Sequence, residues 1–291
     1  MMTKPKLEII IVTYNSQFWL KKTLSTLKSQ VLDGSKTKII VTVVDNASQD
    51  ETAELMKREF TWATYHQLDF NRGYAVANNF ALKRSQSKYV MLLNSDIEFT
   101  AHSNLDKLLT YLDKHSNVAV ITPRIEFTDG QIDPACHRGE PTPWASFCYF
   151  AKLEELFPKV KFFGGYHQWY LPMNEVHQIG ACSGAAMIVR KFAIDQVGWL
   201  DEQFFMYAED LDWCRRFRMA NYQIIFYPLV KIIHHKYKSG IKSSSQSIAR
   251  QTKIYFYQTM LQYYDKHYRK QYPELIRFFL RVFIFIKKGA L

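Results

Sequence analysis

Residues 7–45 read "LEIIIVTYNSQFWLKKTLSTLKSQVLDGSKTKIIVTVVD", and this stretch predicts the core of the fold. Two nearly continuous apolar runs, at 7–14 and 38–45, enclose a stretch with helical spacing at 16–30. Apolar runs of this length are typical of strands buried on both faces of a sheet. A helix between two such strands is the usual right-handed crossover of a parallel sheet. The stretch therefore predicts the first β-α-β unit of a parallel sheet.

The same alternation continues along the chain, and it predicts an α/β fold with a mostly parallel, doubly wound sheet flanked by helices. Residues 126–178 interrupt it, because they hold many aromatic side chains without clear periodicity, and we expect an irregular segment that covers a cleft. Beyond a Ser-rich loop near residue 243 the pattern is helical to the end. The remaining predicted strands lie at 63–68, 88–94, 117–125, 178–191, 222–228 and 230–236, and the remaining helices at 49–60, 73–85, 105–115 and after Tyr207.

Composition is that of an ordinary folded protein. The chain has 291 residues, of which 47% are hydrophobic and 22% charged, so it can bury a substantial core. Four widely spaced cysteines without a CxxC pair argue against a zinc knuckle or a disulfide framework and fit a reducing cytosol. The N-terminal apolar run is too short for the core of a signal peptide, so we expect no secretion signal.

The net charge of +11 comes entirely from the C-terminal part of the chain. Residues 1–230 contain 25 Lys/Arg and 25 Asp/Glu, whereas residues 231–291 contain 13 Lys/Arg and only two acids. Such a basic tail indicates an anionic partner: nucleic acid, anionic lipid or phosphate groups. The neutral remainder and the lack of a basic–aromatic motif argue against nucleic acid. A nucleic-acid-binding protein stays the non-enzymatic alternative.

Polar residues follow three of the predicted strands. Ligands of open α/β sheets bind outside the carboxyl ends of the strands. Neither GxGxxG nor GxxxxGK[ST] occurs, which excludes the dinucleotide fingerprint and the P-loop. The polar residues at the predicted strand ends are Thr13, Tyr14 and Asn15 after the first strand, Asp45 after the second, and Asn94, Ser95 and Asp96 after the fourth.

Each of these strand-end motifs has an ordinary interpretation as well as a functional one. Asp96 suits Mg²⁺ or Mn²⁺, which bind few protein carboxylates, but Asp96 and Asp45 are equally compatible with turns. Asn71, Arg72 and Gly73 precede a helix, whose N-terminus can receive phosphate or ribose oxygens. The alternative for this motif is an Asn helix cap.

Two further groups of residues, a histidine pair and an acidic cluster, also have both an ordinary and a functional interpretation. His234 and His235 follow a strand, and a neutral imidazole can be a metal ligand or simply fill space. Glu209, Asp210 and Asp212 begin a helix, where acids favour the positive end of the helix dipole. Capping is the ordinary interpretation of these acids, and catalysis is the alternative.

Seven motifs, taken in their order along the chain, resemble those of the GT-A glycosyltransferases of family 2. The resemblance extends from residue 7 to about residue 240. The likeness is greatest to the bacterial rhamnosyltransferase-like branch, which builds surface polysaccharides. The motifs are "VTYNS" (12–16), "VVDNASQDET" (43–52), "NRGYAVANN" (71–79), "LLNSD" (92–96), "GACSGAAMIVRK" (180–191), "GWLDEQFFMYAEDLDWCRR" (198–216) and "IIHHKYKSG" (232–240).

The resemblance implies a GT-A catalytic domain over 1–240, with a nucleotide-sugar half (1–125) and an acceptor half (126–240), followed by a helical, basic extension at 241–291. It implies inverting, metal-dependent sugar transfer from a nucleotide diphosphate to a glycan or lipid-diphosphate-linked acceptor, with Mn²⁺ or Mg²⁺ as cofactor. We expect dTDP-L-rhamnose as the donor, with UDP-hexoses and UDP-galactofuranose left open. A sugar nucleotidyltransferase is the enzymatic alternative, although the Gly-rich basic loop typical of that class is missing after the first strand.

The resemblance also implies roles for individual residues. Asp210 would be the general base, and Glu209 would shape the acceptor pocket. Asn94 replaces the first Asp of the family's DxD motif, so Asp96 would carry most of the metal binding, with His234 as a further ligand and His235 as the fallback. The nucleotide-sugar side is assigned to Thr13, Tyr14, Asn15, Asp45, Arg72, Gly73, Asn94, Ser95 and Asp96, and the acceptor side to Ser183, Gly184, Ala185 and Arg138.

The C-terminal segment "ELIRFFLRVFIFIKKGAL" (274–291) predicts a helix that is too short to span a bilayer. Arg277, Arg281 and Lys288 would share one face, and we interpret the helix as lying on an anionic membrane. The alternative is packing against the catalytic domain or against a second subunit in a homodimer. We therefore expect a cytoplasmic protein, peripheral at the inner face of the cell membrane, without a nucleic-acid partner.

Overall fold

The computed structural model describes residues 6–235 and 246–289, and within them nine strands form one mixed sheet. The strands are β1 (Leu7–Thr13), β2 (Ile39–Asp45), β3 (Thr64–Gln67), β4 (Tyr89–Asn94), β5 (Ile97–Glu98), β6 (Val118–Glu126), β7 (His177–Ile179), β8 (Ala186–Arg190) and β9 (Gln223–His234). Their order is β3-β2-β1-β4-β8-β6-β9-β5, and β7 pairs with β9.

The first half of the sheet is parallel, as predicted. β1 pairs in parallel with β2 and β4, and β2 pairs in parallel with β3. Ile9, Ile10 and Ile11 are all fully buried, which explains the continuous apolar run of the first strand. Beyond β4 the directions alternate, because β8 runs antiparallel between β4 and β6, while β9 is parallel to β6.

Helices connect and flank the strands. The predicted helix at 16–30 ends earlier, at Leu27, and continues as a π-helical turn at Lys28–Leu32. The predicted irregular segment 126–178 contains two short helices and a 3₁₀ turn at Pro134–Cys136. The helices are α1 (Gln17–Leu27), α2 (Thr52–Glu59), α3 (Tyr74–Leu82), α4 (Leu105–Lys114), α5 (Pro143–Phe150), α6 (Leu153–Leu156), α7 (Lys191–Val197), α8 (Glu209–Met219), α9 (Gln246–His267) and α10 (Glu274–Gly289).

Two strand predictions in the second half are wrong. The predicted strand 178–191 is divided, because the chain turns between β7 and β8 where Gly180 approaches another backbone: a Cβ there would lie 2.8 Å from Gly139 Cα. The two strands predicted at 222–228 and 230–236 form the single strand β9. Its register with β6 shifts after Tyr227, where Pro228 lacks the N–H that a regular ladder needs.

The C-terminal helices pack onto the part of the chain that precedes them. Tyr263 and Tyr264 of α9 are buried, as are Tyr268, just after this helix, and Ile284 of α10. Most of the predicted Ser-rich loop and the predicted domain boundary after residue 240 lie outside the described residues. Among the residues that are described, no helix combines the length and apolar character needed to cross a membrane.

Candidate functional site

The carboxyl ends of β1, β2 and β4 meet at one edge of the sheet. Thr13 is in register with Asp45, and Val12 is in register with Asn94. Parallel strands in register present the side chains at their ends together, and this is where α/β sheets bind ligands. The strand-end residues predicted for the nucleotide-sugar side are therefore neighbours.

A chain of hydroxyl groups joins the ends of β1 and β4. Thr13 Oγ1 lies 2.8 Å from Ser16 Oγ, which lies 3.0 Å from Ser95 Oγ. Ser16 was not predicted, although it follows Thr13 by three residues. Tyr14 is 46% exposed at the rim of this edge, so its ring is accessible to a ligand.

Asp45 is fully buried, and both of its carboxylate oxygens are bound within the protein. Oδ1 accepts from Ser48 N at 2.8 Å, and Oδ2 accepts from the Tyr65 hydroxyl at 2.6 Å. Burial and the Asp45 charge raise the pKa of Tyr65, so the phenol keeps its proton. Asn15 Oδ1 accepts from Gln49 N at 2.7 Å in the same loop. Asp45 thus shapes the loop after β2, and Asn15 ties this loop to the end of β1.

Gly73 is required where the loop before α3 approaches the loop before α8. Its φ is +83°, and a Cβ would lie 2.5 Å from Phe205 O. Asn46, which was not predicted, holds the same loop: its Nδ2 donates to Asn71 Oδ1 at 2.8 Å, and its Oδ1 accepts from Arg72 N at 2.9 Å. The Arg72 side chain is 41% exposed and lies at the rim.

Asp96 and His234 face each other where β5 pairs with the end of β9. His234 Nε2 lies 3.1 Å from Asp96 Oδ1, and His234 Nδ1 lies 2.9 Å from Asp133 Oδ2. All three side chains are buried. Burial lowers the pKa of His234, but the two carboxylates outweigh it and raise this pKa to about 9. Asp133 was not predicted, and it orients the imidazole toward Asp96.

The adjacent histidine points elsewhere. His235 Nε2 lies 2.7 Å from Glu98 Oε2, and its ring stacks on Trp19 with the ring centroids 4.7 Å apart. The sequence left His234 and His235 as alternatives for the residue beside Asp96. In the structure, His234 occupies that position.

The residues around Asp96 fit a divalent metal ion, whose binding would displace the proton that the two carboxylates favour on His234. A carboxylate oxygen and an imidazole nitrogen converge, and the second nitrogen of His234 binds the Asp133 carboxylate, an arrangement that commonly orients histidine ligands. In the part of the chain that the structure describes, no group of three or more His, Cys, Asp or Glu side chains is arranged to hold a metal ion by itself. Substrate oxygens would have to complete the coordination, as is usual for Mg²⁺.

Asp210 is the second residue of α8 and contacts two other chain segments. Its Oδ2 accepts from Arg138 Nη2 at 2.8 Å and from Gly184 N at 3.2 Å. The side chains of Asp210 and Arg138 are each 11% exposed, so their ion pair is largely shielded from water. Arg138, assigned to the acceptor side, thus orients the carboxylate assigned as the base.

Glu209 is buried beside Asp210, and its Oε2 has no hydrogen-bond partner among the described residues. Burial and the Asp210 charge raise the pKa of Glu209 to about 8, so this carboxyl is mainly protonated at neutral pH. Tyr207 and Ala208, just before it, are both left-handed, with φ of +69° and +65°. Such strain concentrates at functional sites. At neutral pH, Asp210 is therefore the better candidate for a base.

The raised pKa of Glu209 predicts a pH-dependent stability. The folded protein keeps this proton up to about pH 8, whereas the carboxyl ordinarily loses it near 4.5. The stabilisation is thus fully present below pH 4.5 and is lost as the pH rises through about 8. We expect Glu209→Gln to remove this loss, so that the variant gains stability relative to the wild type between pH 5 and 8. Denaturant unfolding at several pH values measures this difference, and parallel stability curves for the two proteins would contradict it.

Residues 183–185 lie between the end of β4 and the start of α8. Asn94 N donates to Ala185 O at 2.9 Å, and the preceding residue, Gly184, donates its N–H to Asp210. Ser183 Oγ accepts from Ala185 N at 3.2 Å and closes this turn. Residues 183–185 therefore bind both the end of β4, two residues before Asp96, and the Asp210 carboxylate.

The Tyr74 hydroxyl contacts the same turn, residues 183–185. It donates to Gly184 O at 2.9 Å. Burial raises the pKa of Tyr74, and the charges of Glu209, Asp210 and Asp96 raise it further. The Tyr74 phenol therefore keeps its proton beside residues 183–185.

Asp212 has a structural role. It is fully buried and pairs with Arg216 Nε at 2.8 Å, Lys266 Nζ at 2.5 Å and His267 Nε2 at 2.7 Å. Burial alone would raise the pKa of Asp212, but these partners lower it to about 2. The carboxylate therefore holds α9 against α8, the helix that carries Asp210.

Comparison with known proteins gives a consistent result. The model of the family described as "Glycosyl transferase family 2" matches residues 8–173. The chain is 25% identical over 263 residues to the N-acetylglucosaminyl-diphospho-decaprenol L-rhamnosyltransferase of Mycobacterium tuberculosis, which covers 86% of this chain and 83% of that protein. It is 26% identical over 243 residues to a rhamnosyltransferase of Escherichia coli, which covers 78% of this chain and 82% of that protein.

A solved structure shares the architecture of this chain. The mannosyltransferase from Pyrobaculum calidifontis in complex with GDP-Man and Mn²⁺ superposes with a TM-score of 0.60 at 17% identity, over 98% of this chain and 70% of that chain. At this identity the likeness shows the fold alone. It confirms the prediction of a GT-A architecture with a helical C-terminal segment.

Proposed function

The chain belongs to glycosyltransferase family 2, and from this premise we propose that it transfers a sugar from a nucleotide diphosphate to a glycan or lipid-linked acceptor, with a metal ion and with inversion. Family membership favours this activity over nucleotidyl transfer and nucleic-acid binding. The observation that carries the proposal is the arrangement of Asp96 with His234 on one side of residues 183–185 and Asp210 with Arg138 on the other.

In the proposed reaction, Asp210 takes the proton of the acceptor hydroxyl. The hydroxyl oxygen forms a bond to the anomeric carbon, while the bond from that carbon to the diphosphate oxygen breaks. The nucleoside diphosphate leaves with the bonding electrons, and attack from the opposite side inverts the anomeric carbon. Arg138 fixes the direction of the Asp210 carboxylate, and Glu209, protonated at neutral pH, adds no second negative charge beside it.

Asp96 and His234 would hold Mn²⁺ or Mg²⁺ at the other side of the site. When bound, the ion would neutralise the charge that develops on the leaving diphosphate. Ser95 would lie beside the diphosphate, since its hydroxyl continues the chain from Thr13 through Ser16. The base and ribose would lie near the rim formed by Tyr14, Asn15 and Arg72, with Asp45 and Gly73 supporting the surrounding loops.

The relatives suggest the donor and the acceptor. Two of them are named rhamnosyltransferases, which supports L-rhamnose from dTDP-L-rhamnose as the first donor to test. The name of the M. tuberculosis relative includes a lipid diphosphate, which supports a lipid-diphosphate-linked acceptor. We further propose that the protein works in the cytoplasm, peripherally at the inner face of the membrane.

A panel of nucleotide sugars tests the donor. We expect dTDP-L-rhamnose to raise the melting temperature in the presence of Mn²⁺ and to release dTDP slowly even without acceptor. UDP-hexoses, UDP-galactofuranose and GDP-mannose serve as competitors, and chelation of the metal is the control. Stabilisation by one of the competitors alone would reject rhamnose, and no response to any nucleotide sugar would reject the transferase proposal.

A further inference from the structure

Helix α10 turns apolar side chains outward. Arg277, predicted to lie on an outer basic face, instead donates two hydrogen bonds to Asp265 of α9, at 2.6 and 2.9 Å. The inner side also contributes Ile284, which is only 7% exposed. The outer stripe consists of Leu275 (60% exposed), Phe278 (59%), Phe279 (59%), Val282 (39%), Phe285 (79%) and Ile286 (60%).

A second exposed apolar element lies in the acceptor half. Residues 156–162 read "LFPKVKF" and follow α6. Lys159 and Lys161 alternate with these apolar side chains and are themselves exposed. The apolar members are Leu156 (69% exposed), Phe157 (46%), Val160 (44%) and Phe162 (63%).

Helix α5 joins the two elements into one surface. Its Phe150 contacts Phe283 of α10, with the ring centroids 4.9 Å apart. At the other end of α5, Trp144 stacks on Phe147 at 5.6 Å and contacts Phe162 at 4.9 Å. We call the outer stripe of α10, the exposed side of α5 and residues 156–162 the docking face.

We propose that the docking face binds an anionic lipid bilayer through both α10 and residues 156–162. An exposed apolar surface of this extent marks an interaction site. Apolar side chains among exposed cations match a bilayer, whose headgroups are anionic and whose interior is apolar. A second copy of the chain would instead bring two sets of like charges together. The exposed cations on or beside the face are Lys152, Lys159, Lys161, Arg281 and Lys287, and the exposed acids there are Glu155 and Glu274.

The docking face continues directly from the acceptor side of the site. Arg138, which binds Asp210, precedes Trp144 of α5 by six residues, and Gly139 N donates to Tyr166 O at 2.7 Å within the same segment. A lipid-borne acceptor would therefore approach Asp210 from the membrane side. This orientation rests on the proposed function, whereas binding to the bilayer does not.

Vesicle co-sedimentation of the full chain tests the docking face. Vesicles of phosphatidylcholine alone are compared with vesicles that also contain phosphatidylglycerol. We expect the wild type to bind the anionic vesicles, and we expect Phe157→Ser/Phe162→Ser and Phe279→Ser/Phe285→Ser each to weaken binding by about tenfold or more, since each removes two apolar side chains from the interface. The matched control is Phe192→Ser/Met219→Ser, which changes side chains of similar exposure, 63% and 70%, outside the docking face.

The outcomes separate the possible occupants. Unchanged binding of the Phe157→Ser/Phe162→Ser variant would overturn the role of residues 156–162. Sedimentation velocity without vesicles must show a monomer, because a dimer that the same substitutions dissociate would identify a second copy as the occupant. Metal-dependent nucleotide release, measured without vesicles, should be equal in all variants. If neither the wild type nor any variant released nucleotide while the wild type still bound vesicles, the proposed sugar transfer would be rejected. The proposal for the docking face would then remain.

Discussion

Asp210→Asn is expected to reduce sugar transfer by about 10²–10⁴-fold while donor binding stays unchanged. The substitution keeps the shape of the side chain but removes its ability to take a proton from the acceptor. It also replaces the charged partner of Arg138, 2.8 Å away, by a neutral amide. The nucleotide side of the site is built from other residues, so the donor should bind as before. Transfer rates under saturating donor and calorimetric donor affinities measure the two effects separately.

Asp212→Asn is the matched control, because it changes the same type of residue on the same helix. Asp212 pairs with Lys266, Arg216 and His267, and its pKa is lowered to about 2, so its substitution should lower the melting temperature. The rate per folded molecule should remain near that of the wild type. Full turnover by the Asp210 variant would remove this carboxylate from the mechanism and leave the base unassigned.

The part of the site that could be predicted from sequence is the part built locally. Each of β1, β2 and β4 is an apolar run that ends in polar residues, so Thr13, Asp45 and Asn94 mark their strand ends without knowledge of the fold. The parallel order of these strands then gathers the ends at one edge, because connections between sequential strands are short and right-handed. Prediction succeeded here because both the strand and its terminus are encoded within a few residues.

The direction of the later strands has no such local signal. β8 is buried on both faces, and an apolar run of this kind reads the same in a parallel or an antiparallel ladder. The two runs of β9 were separated at Pro228 because proline usually ends a strand, but here the ladder with β6 resumes at Lys231 after a bulge. The direction of β8 and the continuity of β9 are both set by hydrogen bonds to neighbouring strands, which the local sequence does not show.

Two of the unpredicted site residues, Asp133 and Asn46, have partners that are distant in the chain. Asp133 stands before Pro134 and caps a 3₁₀ turn, which its local sequence indicates, but its bond to His234 spans 101 residues. Asn46 holds the loop at Arg72 across 26 residues. Polar side chains of this type are common in turns, so only the assembled fold distinguishes a site residue from an ordinary turn residue.

Asp96→Ala is expected to weaken metal-dependent donor binding by about 100-fold or more, since losing a neighbour of a metal ligand commonly costs 10–100-fold and Asp96 is proposed as the ligand itself. Asp96 Oδ1 lies 3.1 Å from His234 Nε2, so the substitution leaves one imidazole where two convergent ligands stood. The measurement compares the affinity for the nucleotide in the presence of Mn²⁺ with the affinity in the presence of a chelator. In the wild type the two values should differ strongly, and in the variant they should nearly coincide.

Glu98→Gln is the control for this experiment. Glu98 lies two residues after Asp96, but its carboxylate binds His235 and Lys22 instead of His234. We expect its substitution to leave the response to Mn²⁺ intact, although the contact between α1 and β5 is weakened. If the Glu98 variant lost the metal response while Asp96→Ala kept it, the ion would bind beside His235, and the fallback position left open by the adjacent histidines would be the correct one.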